Sequence, residues 1–177
     1  SYATILRNSF KRQEALLEEF SRIEKLSADE LKLDIKRYHI EDVVDYALDI
    51  LDDKHENITC QLTPVELNVD FELFATAIKN LLDNALKHTT ERIEVDLCAD
   101  SISVCSYGEK IPKERLDFSR AFNRAMEGAS SGLGLGLYIA NAIVAKHGFE
   151  LSYLHAEGQN YFTIHFRPKE VEKNSPR

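Results

Sequence analysis

The order of strand-like and helix-like patterns constrains the fold of this chain more than any other feature. Alternation with a period of two predicts paired strands at Arg92–Cys98 and Ile102–Ser106, and again at Glu150–His155 and Tyr161–Arg167. Helical patterns precede and separate these two hairpins. The order therefore predicts an α+β fold, a two-layer sandwich with helices on one face of a mixed, mostly antiparallel sheet. It argues against a doubly wound nucleotide-binding fold.

Further elements are predicted around the hairpins. The alternation of Leu31, Leu33 and Ile35 with charged residues indicates a short strand, and the segment Tyr107–Ser131 is expected to be loop with short helical pieces. The remaining predictions are a helix at Ile40–Asp53, strands at Ile58–Leu62 and Glu66–Asp70, a helix at Phe71–His88 capped by Asp70, and a helix from the glycine run to His147, with Gly148 as its C-cap.

A long helix is predicted at the start of the chain. Between residues 2 and 26, Leu6, Phe10, Leu17 and Phe20 follow heptad spacing, with Gln13 at the one polar step. Such a helix needs a partner, and the alternative is that it folds back on its own domain. The predicted organisation is a partial dimerisation helix at 1–28, a compact domain at 29–168 and a frayed tail at 169–177.

Composition and charge exclude several classes of function. The net charge of −8 argues against broad contacts with nucleic acid or anionic lipid. The three cysteines have neither metal-site spacing nor the even count of a disulfide framework, which fits a reducing compartment. No apolar run approaches the roughly 18 residues of a membrane span. Any membrane segment is therefore expected in an upstream part of a longer protein.

The helix predicted at Phe71–His88 carries a polar stripe. Asn80, Asn84 and Lys87 fall within roughly 60° of one another on a helical wheel. Amide oxygens are hard ligands for magnesium and an ammonium group neutralises phosphate, so the stripe suits a magnesium-bound triphosphate. The alternative is that the stripe is the ordinary polar face of an amphipathic helix. The residues expected to bury against the sheet are Phe74, Ile78, Leu81, Leu82 and Ala85.

A glycine run leads directly into the last predicted helix. Gly132, Gly134 and Gly136 allow backbone amides to approach phosphate, and the following helix N-terminus adds unpaired N–H groups. The run is neither a P-loop, because no Lys-Ser or Lys-Thr follows, nor a dinucleotide fingerprint, because the third glycine comes one residue early. A phosphate cradle is one interpretation, and a flexible loop is the other.

Together these motifs resemble those of sensor histidine kinases. Asn80–Thr89 resembles the asparagine box, Gly132–Leu137 the second glycine box, and Ile102–Pro112 the first glycine box. Phe118–Arg124 loosely resembles the phenylalanine box, and Glu14–Leu26 the end of the second dimerisation helix. The resemblance extends to about residue 167. It implies the ATP-binding catalytic domain of such a kinase, preceded by part of its dimerisation helix.

The resemblance also implies partners and a location. The γ-phosphoryl group of Mg-ATP would pass to a histidine in the protein's own dimerisation domain, within a homodimer, and then to the receiver domain of a response regulator. None of the six histidines has the expected setting of that acceptor. The chain is expected to be the cytoplasmic domain of an inner-membrane sensor, anchored only through the missing upstream part.

Site residues are carried over by matching the motifs. Asn84 and Asn80 would bind Mg²⁺, and Asn80, Lys87 and Arg124 would act in catalysis, with Asp117–Ser131 as a lid ordered by nucleotide. Tyr107 would either stack on the base or pack beneath it. The ATP-binding residues would be Asn80, Asn84, Lys87, His88, Ser106, Tyr107, Gly108, Ile111, Gly132, Leu133, Gly134, Leu135, Gly136 and Leu137.

Departures from the family pattern leave alternatives open. Ser106 stands where these kinases usually have an adenine-binding aspartate, and Lys110 replaces a glycine. A serine hydroxyl can accept the same hydrogen bond with weaker binding. Asn80 occupies the position where hydrolytic relatives carry a glutamate, which favours transfer over hydrolysis, and Asp83 is interpreted as a helix-stabilising acid. The competing hypotheses are a degenerate nucleotide-binding module and an anti-sigma-type serine kinase.

Overall fold

The computed structural model describes residues 1–27, 31–51, 56–116 and 135–167. The chain divides into two compact units, Ser1–Leu33 and Asp34–Arg177. The first unit contains helix α1, Tyr2–Ser27, which confirms the predicted long helix. Its seam residues Leu6, Phe10 and Leu17 are exposed. The side chain of Phe20 and the predicted tail at 169–177 lie outside the described residues.

The second unit contains four further helices and seven strands within the described residues. The order of elements alternates short helices with strands that pair mostly as neighbours. The elements are β1 Ile35–His39, α2 Ile40–Asp49, β2 Ile58–Leu62, β3 Glu66–Asp70, α3 Phe71–His88, β4 Ile93–Cys98, β5 Ser101–Tyr107, α4 Lys113–Leu116, α5 Leu135–Lys146, β6 Glu150–Ala156 and β7 Gln159–His165.

The strands form one large and one small sheet. The large sheet has the order β2-β4-β5-β7-β6, in which β2 pairs parallel to β4 and all other pairs are antiparallel. The small sheet pairs β1 with β3. Helices α3 and α5 pack on each other and against β5 and β6, and α2 packs on α3. The predicted α+β sandwich with a mixed, mostly antiparallel sheet is confirmed.

The core lies between the helices and one face of the large sheet. Its strand residues alternate as predicted: Ile93, Val95 and Leu97 on β4 face Ile102 and Val104 on β5, and all are buried. The residues of α3 that were expected to be buried are at most 3% exposed, namely Phe74, Ile78, Leu81, Leu82 and Ala85. This burial supplies much of the hydrophobic stabilisation of the unit.

The start of β1 and the end of α2 differ most from the predicted bounds. The first strand begins at Ile35 instead of Leu31, because Ile35 pairs with Asp70, the last residue of β3. The chain turns into α3 immediately after Asp70, so the residues before Ile35 have no strand to pair with. Helix α2 ends at Asp49 instead of Asp53, and residues 52–55 lie outside the described part.

The last hairpin is tighter than predicted. The sequence predicted a four-residue connection at 157–160, whereas only Glu157 and Gly158 separate β6 from β7. Both residues have positive φ, 51° and 74°, as a two-residue turn compatible with the twist of the strands requires. The consequence is that Asn160 belongs to a strand and not to a loop.

Helix ends follow their sequence signals. Asp70 caps α3 by accepting a hydrogen bond from the Leu73 amide at 3.1 Å, and Gly148 follows α5 with φ of 73°. Between the two helices, His147 Nδ1–H donates to Ile143 O at 2.8 Å and Nε2 accepts from the Asp70 amide at 3.0 Å. His147 thus links the end of α5 to the start of α3 in its neutral form.

None of the helices within the described ranges is long and apolar enough to cross a membrane.

The pH dependence of stability is expected to reflect His147. Burial lowers its pKa below the usual 6.5, against weaker opposing effects of the Ile143 carbonyl and the Asp70 carboxylate. The unfolded chain therefore binds more protons, so stability is full above 6.5 and falls as the pH drops towards the folded-state pKa. Urea unfolding at pH 7.5 and 5.5 should show a smaller loss in His147→Gln than in wild type. Equal losses in the two proteins would contradict this assignment.

Candidate functional site

The polar stripe of α3 lies on the side opposite the buried face. Asn80 and Asn84 are half-buried and Lys87 is exposed, while Leu81, Leu82 and Ala85 between them pack into the core. Within the described ranges, the three side chains make no hydrogen bond or ion pair with another residue. The neighbouring Asp83 instead pairs with Lys79 at 2.8 Å, one turn earlier on the same helix. Asp83 thus has the helix-stabilising contact expected from the sequence.

The start of α5 lies against the stripe. A Cβ added at Gly136 would be 3.8 Å from Asn80 Cβ and 3.9 Å from Asn80 Cγ. Gly136, in the first turn of α5, therefore lies beside Asn80, at a distance where a Cβ would make an ordinary van der Waals contact. This turn carries unpaired backbone N–H groups and the positive end of the helix dipole. The structure thus brings together Asn80 and the last glycine of the run, which are separated by 55 residues of chain.

Two leucines of the glycine run have side chains that are buried in the core. Leu135 and Leu137 are 3% and 4% exposed and belong to the core, so they can present only backbone atoms to a ligand. Gly132, Leu133 and Gly134 lie outside the described residues, as do Arg124 and the predicted lid at 117–131. The sequence-based hypotheses for these residues therefore remain predictions.

The end of β5 brings Ser106 beneath the helices. Ser106 is 5% exposed and lies on the same face of β5 as the core residues Ile102 and Val104. Its hydroxyl has no hydrogen-bond partner among the residues that the structure describes. Tyr107 is 39% exposed and, because side chains alternate along a strand, lies on the opposite face. Ser106 and not Tyr107 therefore faces the side on which α3 lies.

A loop from Gly108 to Ile111 follows β5 and passes the end of α3. A Cβ at Gly108 would lie 3.8 Å from His88 O, the last residue of α3, and the φ of 152° also favours glycine. Ile111, at the other end of the loop, is 9% exposed. The loop thus meets α3 one helical turn beyond Asn84, where the polar stripe ends.

Two positively charged side chains, Lys87 and Arg115, lie near this end of α3. Burial lowers the pKa of His88, and the positive charges of Arg115 and Lys87 lower it further. His88 is therefore held in its neutral form, while Lys87 remains the exposed cation on the helix. In a chain with a net charge of −8, this local arrangement is what favours an anion.

Three residues at this site were missed in the sequence. Tyr153 and His155 on β6 and Asn160 on β7 make hydrogen bonds to the loop that starts at Gly108. The available signal was the inward position of Asn160 in the alternation with Phe162 and Ile164. The sequence alone predicts a turn at 157–160, which hides this alternation at Asn160.

The chemistry of the site fits a magnesium-bound nucleotide. Two carboxamides one turn apart offer hard oxygen ligands, Lys87 offers a positive charge, and the buried hydroxyl of Ser106 can bond a polar group of a base. Among the described residues, there is no group of three or more histidine, cysteine, aspartate or glutamate residues that could hold a metal ion. A cation here would need phosphate and water oxygens to complete its coordination, as Mg²⁺ commonly does.

Comparison with known proteins identifies a family of ATPases. The model of the family described as histidine kinase-, DNA gyrase B-, and HSP90-like ATPase matches residues 69–170. The sensor histidine kinase ArsS of Helicobacter pylori is 27% identical over 155 residues, which cover 85% of this chain and 36% of ArsS. The chain therefore spans about a third of the length of this relative.

Solved structures share the fold. The histidine kinase AdeS of Acinetobacter baumannii superposes with a TM-score of 0.68 at 19% identity, over 90% of this chain and 80% of that one. Full-length ShkA in complex with AMPPNP superposes with a TM-score of 0.73 at 21% identity, over 93% of this chain and 38% of that one. These likenesses confirm the fold that the sequence predicted.

The matched region includes each part of the site described above. Residues 69–170 contain α3 with its polar stripe, the loop after β5, and α5. The match covers more than half of the 177 residues. By this match, and in agreement with the geometry of its polar stripe and glycine segment, the chain belongs to the family of histidine kinase-, DNA gyrase B- and HSP90-like ATPases.

Proposed function

We propose that this chain is the ATP-binding catalytic domain of a sensor histidine kinase, residues 29–168, preceded by part of a dimerisation helix at 1–28. The observation that carries the proposal is the contact of Asn80 with the Gly136 position, on the same helix side as Asn84 and Lys87. In this proposal the two amides bind the metal, and the cation and the start of α5 lie beside them to hold phosphate. Relatives with the name of sensor histidine kinase support the choice within the family.

Different residues of the site bind the metal, the phosphates and the base of the nucleotide. Asn84 and Asn80 hold Mg²⁺, while Lys87, His88 and the backbone of residues 132–137, including Leu133 and Leu135, hold the phosphates. Ser106, Gly108 and Ile111 form the end of the site that receives adenine, with Tyr107 behind them. Arg124 contacts the γ-phosphate. The buried hydroxyl of Ser106 supports this division, because it provides a polar partner for the base beneath α3.

Transfer to a protein side chain is favoured over hydrolysis. Asn80 stands one turn before Asn84 and, being an amide, cannot take a proton from water. The nearest carboxylate on the helix, Asp83, is paired with Lys79. Mg²⁺ would neutralise charge that develops on the phosphate oxygens. The bond between the β–γ bridging oxygen and the γ-phosphorus breaks, a bond forms from that phosphorus to a nitrogen of the acceptor histidine, ADP leaves with the bridging oxygen, and the proton of the other imidazole nitrogen passes to solvent.

In this proposal, the longer parent protein supplies the acceptor histidine, the dimer partner and the membrane anchor. The acceptor histidine belongs to the dimerisation domain of a homodimer, and the phosphoryl group then passes to an aspartate of a response-regulator receiver domain. The exposed heptad residues of α1 support a helical partner outside this chain. An upstream segment would anchor the protein in the inner membrane, with this domain in the cytoplasm.

Nucleotide binding should depend on Asn84 through the metal. Asn84→Ala removes a hard oxygen ligand and is expected to weaken Mg-ATP binding by about tenfold or more in calorimetric titration. The difference from wild type should vanish in EDTA, because the amide acts through Mg²⁺. Asn68→Ala, at an exposed position on β3, is the control and should bind as wild type does. An equal affinity of Asn84→Ala and Asn68→Ala would exclude Asn84 as a ligand.

The positive charge of Lys87 should increase ATP affinity because Lys87 lies on the polar stripe of α3. Lys87→Met is expected to weaken ATP binding about tenfold at low salt and less at high salt, since it removes an ion pair with phosphate. Lys146→Met makes the same change in net charge at the far end of α5 and serves as the matched control. If both variants lose the same affinity, the phosphate is attracted by overall charge and not by Lys87.

Phosphoryl transfer should appear when the upstream segment is restored. Incubation of the longer protein with ATP labelled at the γ-phosphate should give a protein-bound phosphate that is labile in acid and stable in base. Asn84→Ala should abolish the label. An acid-stable label would favour the serine-kinase alternative, and binding of Mg-ATP without any label would favour the degenerate module suggested by Ser106 and Lys110.

A further inference from the structure

Asn160 is a buried carboxamide in a strand that otherwise supplies core residues. It is 2% exposed, and together with Ser106 it makes up the buried polar side chains of the described residues. The two residues are direct partners across the β5–β7 pair. A buried amide is costly unless its donors and acceptors are satisfied, so its bonds indicate what it stabilises.

The bonds of Asn160 run to the loop after β5. Its Nδ2 donates to Glu109 O at 3.1 Å, and its Oδ1 accepts from the Tyr153 hydroxyl at 2.6 Å. The Tyr153 oxygen in turn accepts from the Ile111 amide at 2.9 Å. The donors and acceptors in this chain of hydrogen bonds are defined. The Ile111 N–H donates to the Tyr153 oxygen, and the Tyr153 O–H donates to Asn160 Oδ1. Two side chains thereby bind both ends of Glu109–Ile111.

A third residue completes the attachment. His155 Nε2–H donates to Gly108 O at 3.1 Å, and His155 pairs with Asn160 across the β6–β7 hairpin. The hairpin therefore bonds the backbone at Gly108, Glu109 and Ile111. On its other side, the same loop meets the end of α3, where the Gly108 Cβ position is 3.8 Å from His88 O. The loop thus lies between the hairpin and the helix that bears the polar stripe.

We propose that Tyr153 and Asn160 are positioning residues, which hold the loop Gly108–Ile111 against the end of α3 so that Ser106, Gly108 and Ile111 form a base-binding surface. The proposal rests on the function proposed above and assigns these two residues a part in it. Their proposed effect on the nucleotide is exerted through the loop backbone that they bond. The loop carries Lys110 in place of a glycine of the family motif, and its backbone is bonded at Gly108, Glu109 and Ile111 by side chains of the β6–β7 hairpin.

This role predicts a loss that is confined to the base half of the ligand. The phosphate half is held by Asn80, Asn84 and Lys87, which make no bond to Tyr153 or Asn160. Loosening the loop should therefore weaken binding of Mg-ATP but not of magnesium tripolyphosphate, which lacks the base. A merely structural contribution to the fold would weaken both ligands together.

The test is calorimetric titration of wild type, Tyr153→Phe and Tyr161→Phe with each of these two probes. Tyr153→Phe removes one oxygen atom and leaves the Ile111 amide and Asn160 Oδ1 without their partner. It should weaken Mg-ATP about tenfold and leave tripolyphosphate unchanged. Tyr161→Phe removes a hydroxyl that donates to Gln159, two residues earlier on β7, and is the matched control. It should bind both probes as wild type does.

A second variant tests the same role independently, in case Tyr153→Phe does not fold. Asn160→Asp keeps the acceptor for Tyr153 but loses the donor to Glu109 O, so it should show the same selective loss if it remains folded by circular dichroism. If Tyr153→Phe binds both probes more weakly to the same extent, or binds Mg-ATP as well as wild type does, the positioning role is overturned. In either case, binding of Mg-ATP by wild type still supports the proposed function. Failure of wild type to bind Mg-ATP would overturn the proposed function and this inference together.

Discussion

The burial of one face of α3 is the constraint on which the site depends. Phe74, Ile78, Leu81 and Leu82 are almost completely removed from solvent, so the rotation of the helix about its axis is determined by the core. That rotation directs Asn80, Asn84 and Lys87 to the other side. The same packing brings α5 close enough for Gly136 to meet Asn80. Hydrophobic burial therefore creates the polar geometry, and no polar contact within the stripe is needed to hold it.

The β6–β7 hairpin has two functions in this arrangement. Phe162 and Ile164, on the strand next to the edge of the sheet, belong to the core, while Tyr153, His155 and Asn160 extend the same inward face towards the loop after β5. The tight turn at Glu157 and Gly158 makes this possible, because it starts β7 early enough to include Asn160. A loop that lacks regular structure is thus fastened by side chains from rigid strands, as precise binding surfaces require.

Local electrostatics oppose the overall charge of the protein. The net charge of −8 repels a polyphosphate at long range, yet Lys87 and Arg115 lie at the end of α3 where His88 is held neutral. Solvent ions screen the distant acidic groups more effectively than they screen contacts at a few ångströms. The positive end of α5 adds a fixed dipole that screening reduces less where the helix is buried. Short-range groups can therefore attract an anion to this protein.

The sequence by itself determined the helices, the strands and the polar stripe. The bounds of α3, β2 and β3 were predicted to the residue because caps, alternation and helical periodicity are local signals. It did not determine the start of β1, which depends on where β3 ends, or the membership of Asn160 in β7, which depends on a two-residue turn. The contact of Asn80 with the Gly136 position, the bond of Tyr153 to Ile111 and the bond of Asn160 to Glu109 join residues that are distant in the chain. Only the tertiary structure decided these, because the pairing of strands and the packing of α3 on α5 are set by the whole core and not by neighbouring residues.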